Sequence, residues 1–275
     1  MEQAGAAAGM GGVGGARVVA LILAGGRGTR MGPLCQHRAK PVLPFLGQRR
    51  VIDFTLENAV RSGISTVAAL TDHCRESVHA YLRSHAPLPV DLLDPPDGAY
   101  LGTADAVYRN LAYVLRHGAE VVLVLAGDHV YRMDYRPLVA FHRASGAGVT
   151  VGVVAVRPEE AHRFGMVALD ADGRVAHFWE KPAHPCGTLA SMGIYAFSTE
   201  YLVRLLEADA RCPASRHDFG HSVLPVAVRE GRAYGYRFHG YWRDIGTVES
   251  YHRASMECLA DPRPLGPGWL PRGAW

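Results

Sequence analysis

The chain has 275 residues, 48% of them hydrophobic and 20% charged, a balance that excludes a disordered or coiled-coil protein and suffices for one large α/β domain. Its 29 basic and 26 acidic residues leave a net charge of only +3, which excludes the broad basic surface of a nucleic-acid binder. No apolar stretch approaches bilayer length, so no membrane partner is expected.

Residues 1–16 are mostly Gly and Ala, without the basic start and long apolar centre of an export signal, and are expected to form a disordered leader. The first element is LILAGGRGTRMG at 21–32, an apolar run that reads as a buried strand and ends in glycines with interleaved arginines. A helical spacing of apolar residues at 51–61 stops at Gly63, and a strand follows at 64–70, completing a βαβ unit. A second helix is expected at 76–82, and the proline-rich stretch 85–99 reads as a loop over one sheet edge. Thr103 is placed as the cap of a helix whose stripe is Ala104, Val107, Leu111, Val114 and Leu115. VVLVLA at 121–126 then has the texture of a central parallel strand.

From Gly148 onward the pattern changes to short strands separated by turns: GVTVGVVAV, FGMVALD, RVAHFWEKP and SMGIYAF, expected as antiparallel additions to the sheet. Helices are expected at 218–229 and 247–260, with a strand in RAYGYRFHG between them, and 261–275 reads as an irregular tail. The predicted fold class is α/β, a Rossmann-like, mixed but mostly parallel sheet flanked by helices, with the working domain at 17–260. The five cysteines, Cys35, Cys74, Cys186, Cys212 and Cys258, are widely spaced and form no CxxC pair, which fits reduced thiols in a cytoplasmic protein.

Gly25, Gly26 and Gly28 let the backbone turn sharply after the first strand, with amides open to phosphate oxygens, while Arg27 and Arg30 add positive forks. The same cluster alone also reads as a tight structural turn. Its spacing fits neither the GxGxxG dinucleotide fingerprint nor a Walker loop, which excludes a nicotinamide-dependent dehydrogenase on these glycines. Arg38 and Lys40, with Pro41 fixing the exit, can hold an ammonium near the same phosphates. Asp128 follows a buried parallel strand, at the sheet end where open α/β folds bind ligands. It suits Mg²⁺, and Asp244 in YWRDIGT is the best second carboxylate. Either aspartate could instead be a cap or turn former. Glu180-Lys181 can accept sugar hydroxyls and meet a phosphate, or be a solvated turn pair. His217 and His221, four apart, lack a sensibly spaced third ligand, and no metal is assigned to them.

In order along about 17–260, LILAGGRGTR, RAKP, YLGTADAVYRNL, LAGDHVYRMDY, FGMVALD, EKP, SMGIYAF, HDFG and YWRDIGT resemble the catalytic domain of the sugar-1-phosphate nucleotidylyltransferases, in particular the ADP-glucose pyrophosphorylase branch. The resemblance implies transfer of the adenylyl group of ATP to glucose 1-phosphate, giving ADP-glucose and pyrophosphate for glycogen or related α-glucan synthesis. It implies that Arg27, Lys40 and Asp128 are catalytic, that Asp128 and Asp244 hold Mg²⁺, and that Ala24, Gly25, Gly26, Gly28, Thr29, Arg30, Gly102 and Thr103 contact the nucleotide. Tyr100, Gly165, Glu180, Lys181 and Ser191 would contact glucose 1-phosphate.

Members of this branch usually carry arginine where Leu101 stands, glutamine where Asp72 stands, a longer segment in place of 85–99, and often a lysine where His37 stands. The changes at Leu101 and Asp72 fall near the base pocket. Members also continue into a β-helix domain that is expected to be absent here, so a homo- or hetero-oligomer is left open. The alternatives are the same chemistry on another nucleoside triphosphate or sugar 1-phosphate, and a non-catalytic, ligand-binding paralogue.

Overall fold

A computed structural model of the chain describes residues 13, 15–184 and 187–266. The leader expected at 1–16 lies outside the described residues except for its last positions, where Val13 and Ala16 form a bridge and are buried. Cys186 and residues 267–275 of the expected tail also lie outside them, whereas Leu265 is fully buried.

The strands in chain order are β1 (Val18–Leu23), β2 (Pro44–Phe45), β3 (Arg49–Arg50), β4 (Thr66–Leu70), β5 (Asp91–Leu93), β6 (Val121–Ala126), β7 (His129–Tyr131), β8 (Val149–Ala155), β9 (Gly165–Leu169), β10 (Val175–Glu180), β11 (Leu189–Ser198), β12 (Ala233–Arg237) and β13 (Trp242–Asp244). β5, β4, β1 and β6 run parallel side by side. β11 then pairs antiparallel with β6 and β8, and β12 closes that edge parallel to β8. β9 and β10 form an antiparallel arm on the early part of β11. The sheet is therefore mixed and mostly parallel, as the unbroken apolar runs predict.

Successive residues of β1 face opposite sides, and each side has its own core. Ala20 and Ile22 pack toward α1 (Ile52–Arg61), α2 (Arg75–His85) and α5 (Tyr135–Ala144). Val19 and Leu21 pack toward α3 (Thr103–Tyr108), α4 (Leu111–Arg116), α6 (Thr199–Ala210) and α7 (Leu224–Arg229). A third cluster joins Met31 and Cys35, just past the glycine loop, to Ala254 and Cys258 on α8 (Val248–Ala260). That cluster anchors the loop from the far end of the chain.

β1 lies between β4 and β6, so the chain leaves it first to one side and then to the other. The carboxyl ends of these three strands flank the crevice where such sheets bind ligands.

Three expectations are corrected. The stretch 85–99 is not all loop, because Asp91–Leu93 adds an edge strand to β4. Three residues between prolines are enough, since an edge strand needs partners on one side only. The single helix expected from Thr103 is two helices, separated where the Asn110 amide donates to the Ala106 carbonyl and the Tyr100 hydroxyl, and Leu115 is 56% exposed. Gly102, not Thr103, is the N-cap. The Thr103 hydroxyl donates to Asp218 at 3.0 Å and accepts from the Phe219 N–H at 3.1 Å.

One buried group carries a pH signature. His142 on α5 is 2% exposed, its ring nitrogens lie 3.0 Å from the Thr150 hydroxyl and 3.1 Å from the Ser198 hydroxyl, and burial, with Arg232 nearby, holds its pKa down at about 4. The native state binds this proton less readily than the unfolded chain, whose histidine titrates near 6.5. Stability is thus present above that value and lost as pH falls toward 4, by up to about 3 kcal/mol. Melting temperatures between pH 7 and 4.5 should fall more steeply for the wild type than for His142→Gln; parallel curves would contradict this.

Candidate functional site

A cavity of about 570 Å³ opens at the crevice described above. The glycine loop forms one wall. Ala24, fully buried, donates its N–H to the Leu70 carbonyl at 2.9 Å and so fixes where the loop leaves the sheet. Gly25, Gly26, Gly28 and Thr29 line the cavity, and Arg27 and Arg30 line it with exposed side chains. Among the described residues neither arginine makes an ion pair, so both forks remain available to an anion. Arg38 is exposed and lies outside the lining.

Lys40 takes a position that its sequence neighbours do not reveal. It is 6% exposed, with its ammonium 2.7 Å from Asp128 Oδ2 and 3.4 Å from Asp244 Oδ1. Two aspartates 116 positions apart in the chain meet because β13 pairs with β7, placing Asp244 opposite His129. His129 joins them: its Nε2 is 3.6 Å from Asp128 Oδ1 and 3.7 Å from Asp244 Oδ1. Burial pushes the Asp128 carboxyl up, but Lys40 and His129 outweigh it and bring the pKa to about 2. Asp244 is likewise raised by burial and lowered by Lys40 and His129, ending below its ordinary value. Burial alone would lower the Lys40 ammonium; the two carboxylates hold it above its usual value instead.

Donor atoms of Asp128, His129 and Asp244 all lie within 4.8 Å of one another. Two carboxylates already gathered around a positive charge fit a hard divalent cation, which takes one or two carboxylates and completes its shell with phosphate oxygens. Arg163 braces the second of them from behind, donating to Asp244 Oδ2 at 2.9 Å.

The lining also carries Glu180 and Lys181, joined by a 2.7 Å ion pair. Gly165 faces Glu180 across the β9–β10 register. Gly220 faces the same carboxylate, and a Cβ there would overlap Glu180 Oε2 and stand 2.7 Å from its Cδ. Gly220→Ala should therefore displace the Glu180 side chain without straining the fold. The expected result is a roughly tenfold or greater rise in KM for the substrate that Glu180 contacts, with the melting temperature within a few degrees of wild type; unchanged steady-state kinetics would contradict it.

Gly102 and Thr103 line the cavity beside Gly220. Tyr100 also borders it, but its hydroxyl is engaged within the protein, donating to the Leu93 carbonyl at 3.1 Å and accepting from Asn110 at 2.9 Å. Ser191 is buried outside the lining, donating to the Tyr195 hydroxyl at 3.4 Å and accepting from the Gly193 N–H. His217 and His221 lie elsewhere, paired with Asp209 at 3.1 Å and Asp218 at 3.3 Å.

Sequence reasoning missed His129, Arg163 and Gly220. His129 could have been noticed as the residue after Asp128. The partner of Arg163 stands 81 positions away, and nothing local signals it.

A mostly parallel sheet with a glycine loop, exposed arginine forks and paired aspartates at its switch point defines an α/β protein built to hold phosphates and a cation together. Residues 19–261 match the Nucleotidyl transferase family, and the chain belongs to that family. It is 45% identical over 269 residues to the glucose-1-phosphate adenylyltransferase of Thermotoga neapolitana, covering 92% of this chain and 64% of the relative. It is 45% identical over 268 residues to that of Thermomicrobium roseum (92% and 63%) and 42% identical over 258 residues to that of Desulfitobacterium hafniense (89% and 65%). The chain thus spans a little under two thirds of the length of these relatives. Nucleotidyl transferases generally work with a divalent metal. Among the described residues, no helix is long and apolar enough to cross a membrane.

Proposed function

We propose that this chain transfers the adenylyl group of ATP to glucose 1-phosphate, giving ADP-glucose and pyrophosphate, with Mg²⁺ as the divalent ion. The observation that carries the reading is the convergence of Lys40, Asp128 and Asp244 beside the glycine loop, with a carboxylate–ammonium pair in the same cavity for the second substrate. The printed names of the relatives supply the particular substrates.

An oxygen of the sugar phosphate attacks the α-phosphorus of the nucleotide, the α–β bridging bond breaks, and its electron pair leaves on pyrophosphate. No protein nucleophile is needed, so the residues act by alignment and by neutralising charge. Gly25, Gly26 and Gly28 present backbone amides to the phosphates, Arg27 and Arg30 neutralise the triphosphate, and Lys40 holds the aspartates at the point of transfer. Thr29, Gly102 and Thr103 complete the nucleotide wall, and Ala24 sets the position of the loop from beneath. Glu180 accepts sugar hydroxyls and Lys181 meets the sugar phosphate, with Gly165 facing Glu180 from β9. Asp128 and Asp244 would hold Mg²⁺, which when bound supplies further neutralisation of the phosphate charge. The four described cysteines are free, which fits a cytoplasmic setting.

Pyrophosphate release from Mg²⁺, ATP and glucose 1-phosphate tests the reading. ADP-glucose and pyrophosphate should appear in equal amounts and the reaction should run in both directions. Absence of turnover with every nucleoside triphosphate and sugar phosphate would overturn it in favour of a binding paralogue.

A further inference from the structure

Arg163 closes the 3-10 turn Pro158–Arg163 that leads into β9, and it lies outside the lining of the main cavity. Its guanidinium donates to Asp244 Oδ2 at 2.9 Å, while Oδ1 of the same carboxylate faces Lys40 at 3.4 Å and His129 at 3.7 Å. Arg163 thus decides which oxygen is turned toward the cation cluster. Its Nε is buried with no hydrogen-bond partner, and its Cζ lies 5.4 Å from the centre of the Phe164 ring, which meets Trp242 of β13 edge to face. A buried N–H without a partner costs free energy, so packing, rather than the best hydrogen bonding of the guanidinium, holds this side chain in place. The same short segment also reaches the other end of the site. The Lys181 N–H donates to the Phe164 carbonyl at 3.1 Å, and Gly165 pairs with Glu180 in the β9–β10 ladder. Three consecutive residues, Arg163, Phe164 and Gly165, therefore tie Asp244 to Lys181 and Glu180. The arm they enter joins β11 through one ladder pair, Ala190 with Met166, and packs on a small cluster of its own made by Ala161, Met166 and Ala190.

We propose that Arg163 is a positioning residue through which the β9–β10 arm holds Asp244, so that a divalent cation at Asp128 and Asp244 and a sugar phosphate at Glu180 and Lys181 strengthen each other's binding. This rests on the reading of the site as one for a cation and a sugar phosphate. A ligand that fixes Glu180 and Lys181 fixes the arm, the arm fixes Arg163, and Asp244 then keeps Oδ1 turned to the cation, the part a partner behind a metal ligand commonly plays. Charge alone predicts the reverse for the cation. A guanidinium beside a carboxylate that binds a divalent ion also repels that ion, so removing it should tighten the ion if Arg163 acted only as a charge. The sign of the change separates the two roles. Because the contact with Asp244 is a single hydrogen bond, a lysine ammonium can take it over, whereas methionine fills the space without a donor.

The test is Mn²⁺ affinity by electron paramagnetic resonance, with a non-hydrolysable ATP analogue present and with or without glucose 1-phosphate, in wild type, Arg163→Met and Arg163→Lys. In wild type the sugar phosphate should tighten Mn²⁺ by about fivefold or more, and by linkage Mn²⁺ should tighten glucose 1-phosphate, titrated calorimetrically, by the same factor. Arg163→Met should weaken Mn²⁺ by about tenfold and shrink the mutual effect to about twofold or less, while Arg163→Lys should stay within about threefold of wild type in both. Mn²⁺ held as tightly or more tightly by Arg163→Met, a mutual effect absent from wild type, or one that survives in Arg163→Met would overturn the proposal. Should Arg163→Met not fold, Arg163→Lys still tests it, since loss of the mutual effect with the donor kept would contradict it. Mutual tightening in a wild type that releases no pyrophosphate would sink the proposed reaction and leave this coupling standing. Turnover without mutual tightening would sink the coupling alone.

Discussion

Asp128→Asn should lower the rate of the proposed adenylyl transfer by roughly 10³ while leaving the protein folded. The amide keeps the shape of the side chain but not its charge, and it is charge that the position supplies. In the wild type, burial works against ionisation, yet Lys40 and His129 keep the carboxyl ionised far below neutral pH. Asp128 is therefore an anion throughout the range in which the enzyme would work. Removing that charge takes from Lys40 its partner at 2.7 Å and leaves only Asp244 at 3.4 Å. One carboxylate can no longer gather both the ammonium and a divalent ion at the point of transfer. The loss should fall on kcat, with a smaller change in KM for the proposed sugar phosphate, whose expected contacts are Glu180 and Lys181. A variant within tenfold of wild type in kcat would remove Asp128 from the reaction.

Gly102→Ala should cost stability, by about 2–4 kcal/mol. A Cβ at Gly102 would overlap the His217 carbonyl oxygen and stand 2.8 Å from its carbon. Unlike the Glu180 carboxylate facing Gly220, this neighbour is backbone and cannot swing aside. The same carbonyl accepts the Ala104 N–H at 2.9 Å and the Asp105 N–H at 3.3 Å. Pushing it away leaves the first amides of α3 without partners and strains the hydrogen bonds of Thr103 to Asp218 and Phe219. Because α3 and Asp218, Phe219 and Gly220 border the cavity, nucleotide affinity should fall as well. Urea denaturation with tryptophan fluorescence reads the first effect. A midpoint equal to that of wild type would show that the segment relaxes without cost.

What was legible in the sequence follows from how local each signal is. VVLVLA could be read to the residue because a strand buried on both faces must be apolar throughout, and it occupies Val121–Ala126. The helix expected at 247–260 occupies Val248–Ala260, and the structure shows Thr247 capping it. The β5 strand was not legible, since an edge strand of three residues leaves no periodicity. The break between α3 and α4 is set by Asn110 reaching Tyr100, a contact that the helical stripe does not encode. In the site, Asp128 was legible as a candidate ligand because it follows a buried strand, Asp244 because it stands between Trp242-Arg243 and a turn glycine, and the glycine loop because it follows a strand. That Lys40 lies buried between the two aspartates was not, because it depends on the pairing of β7 with β13. The same pairing brings His129 into the cluster, and Arg163 enters it from the segment before β9.

The central claim is that Asp128 and Asp244 act as one cation-binding unit on a bound nucleotide. Mn²⁺ affinity, measured by electron paramagnetic resonance with a non-hydrolysable ATP analogue present, tests it most directly in wild type, Asp128→Asn, Asp244→Asn and the double variant. Each single substitution should weaken Mn²⁺ by at least about tenfold, and the double variant should lose little more than either alone, because neighbours in one unit are not additive. Single variants that hold Mn²⁺ as tightly as wild type, or losses that simply add, would contradict it.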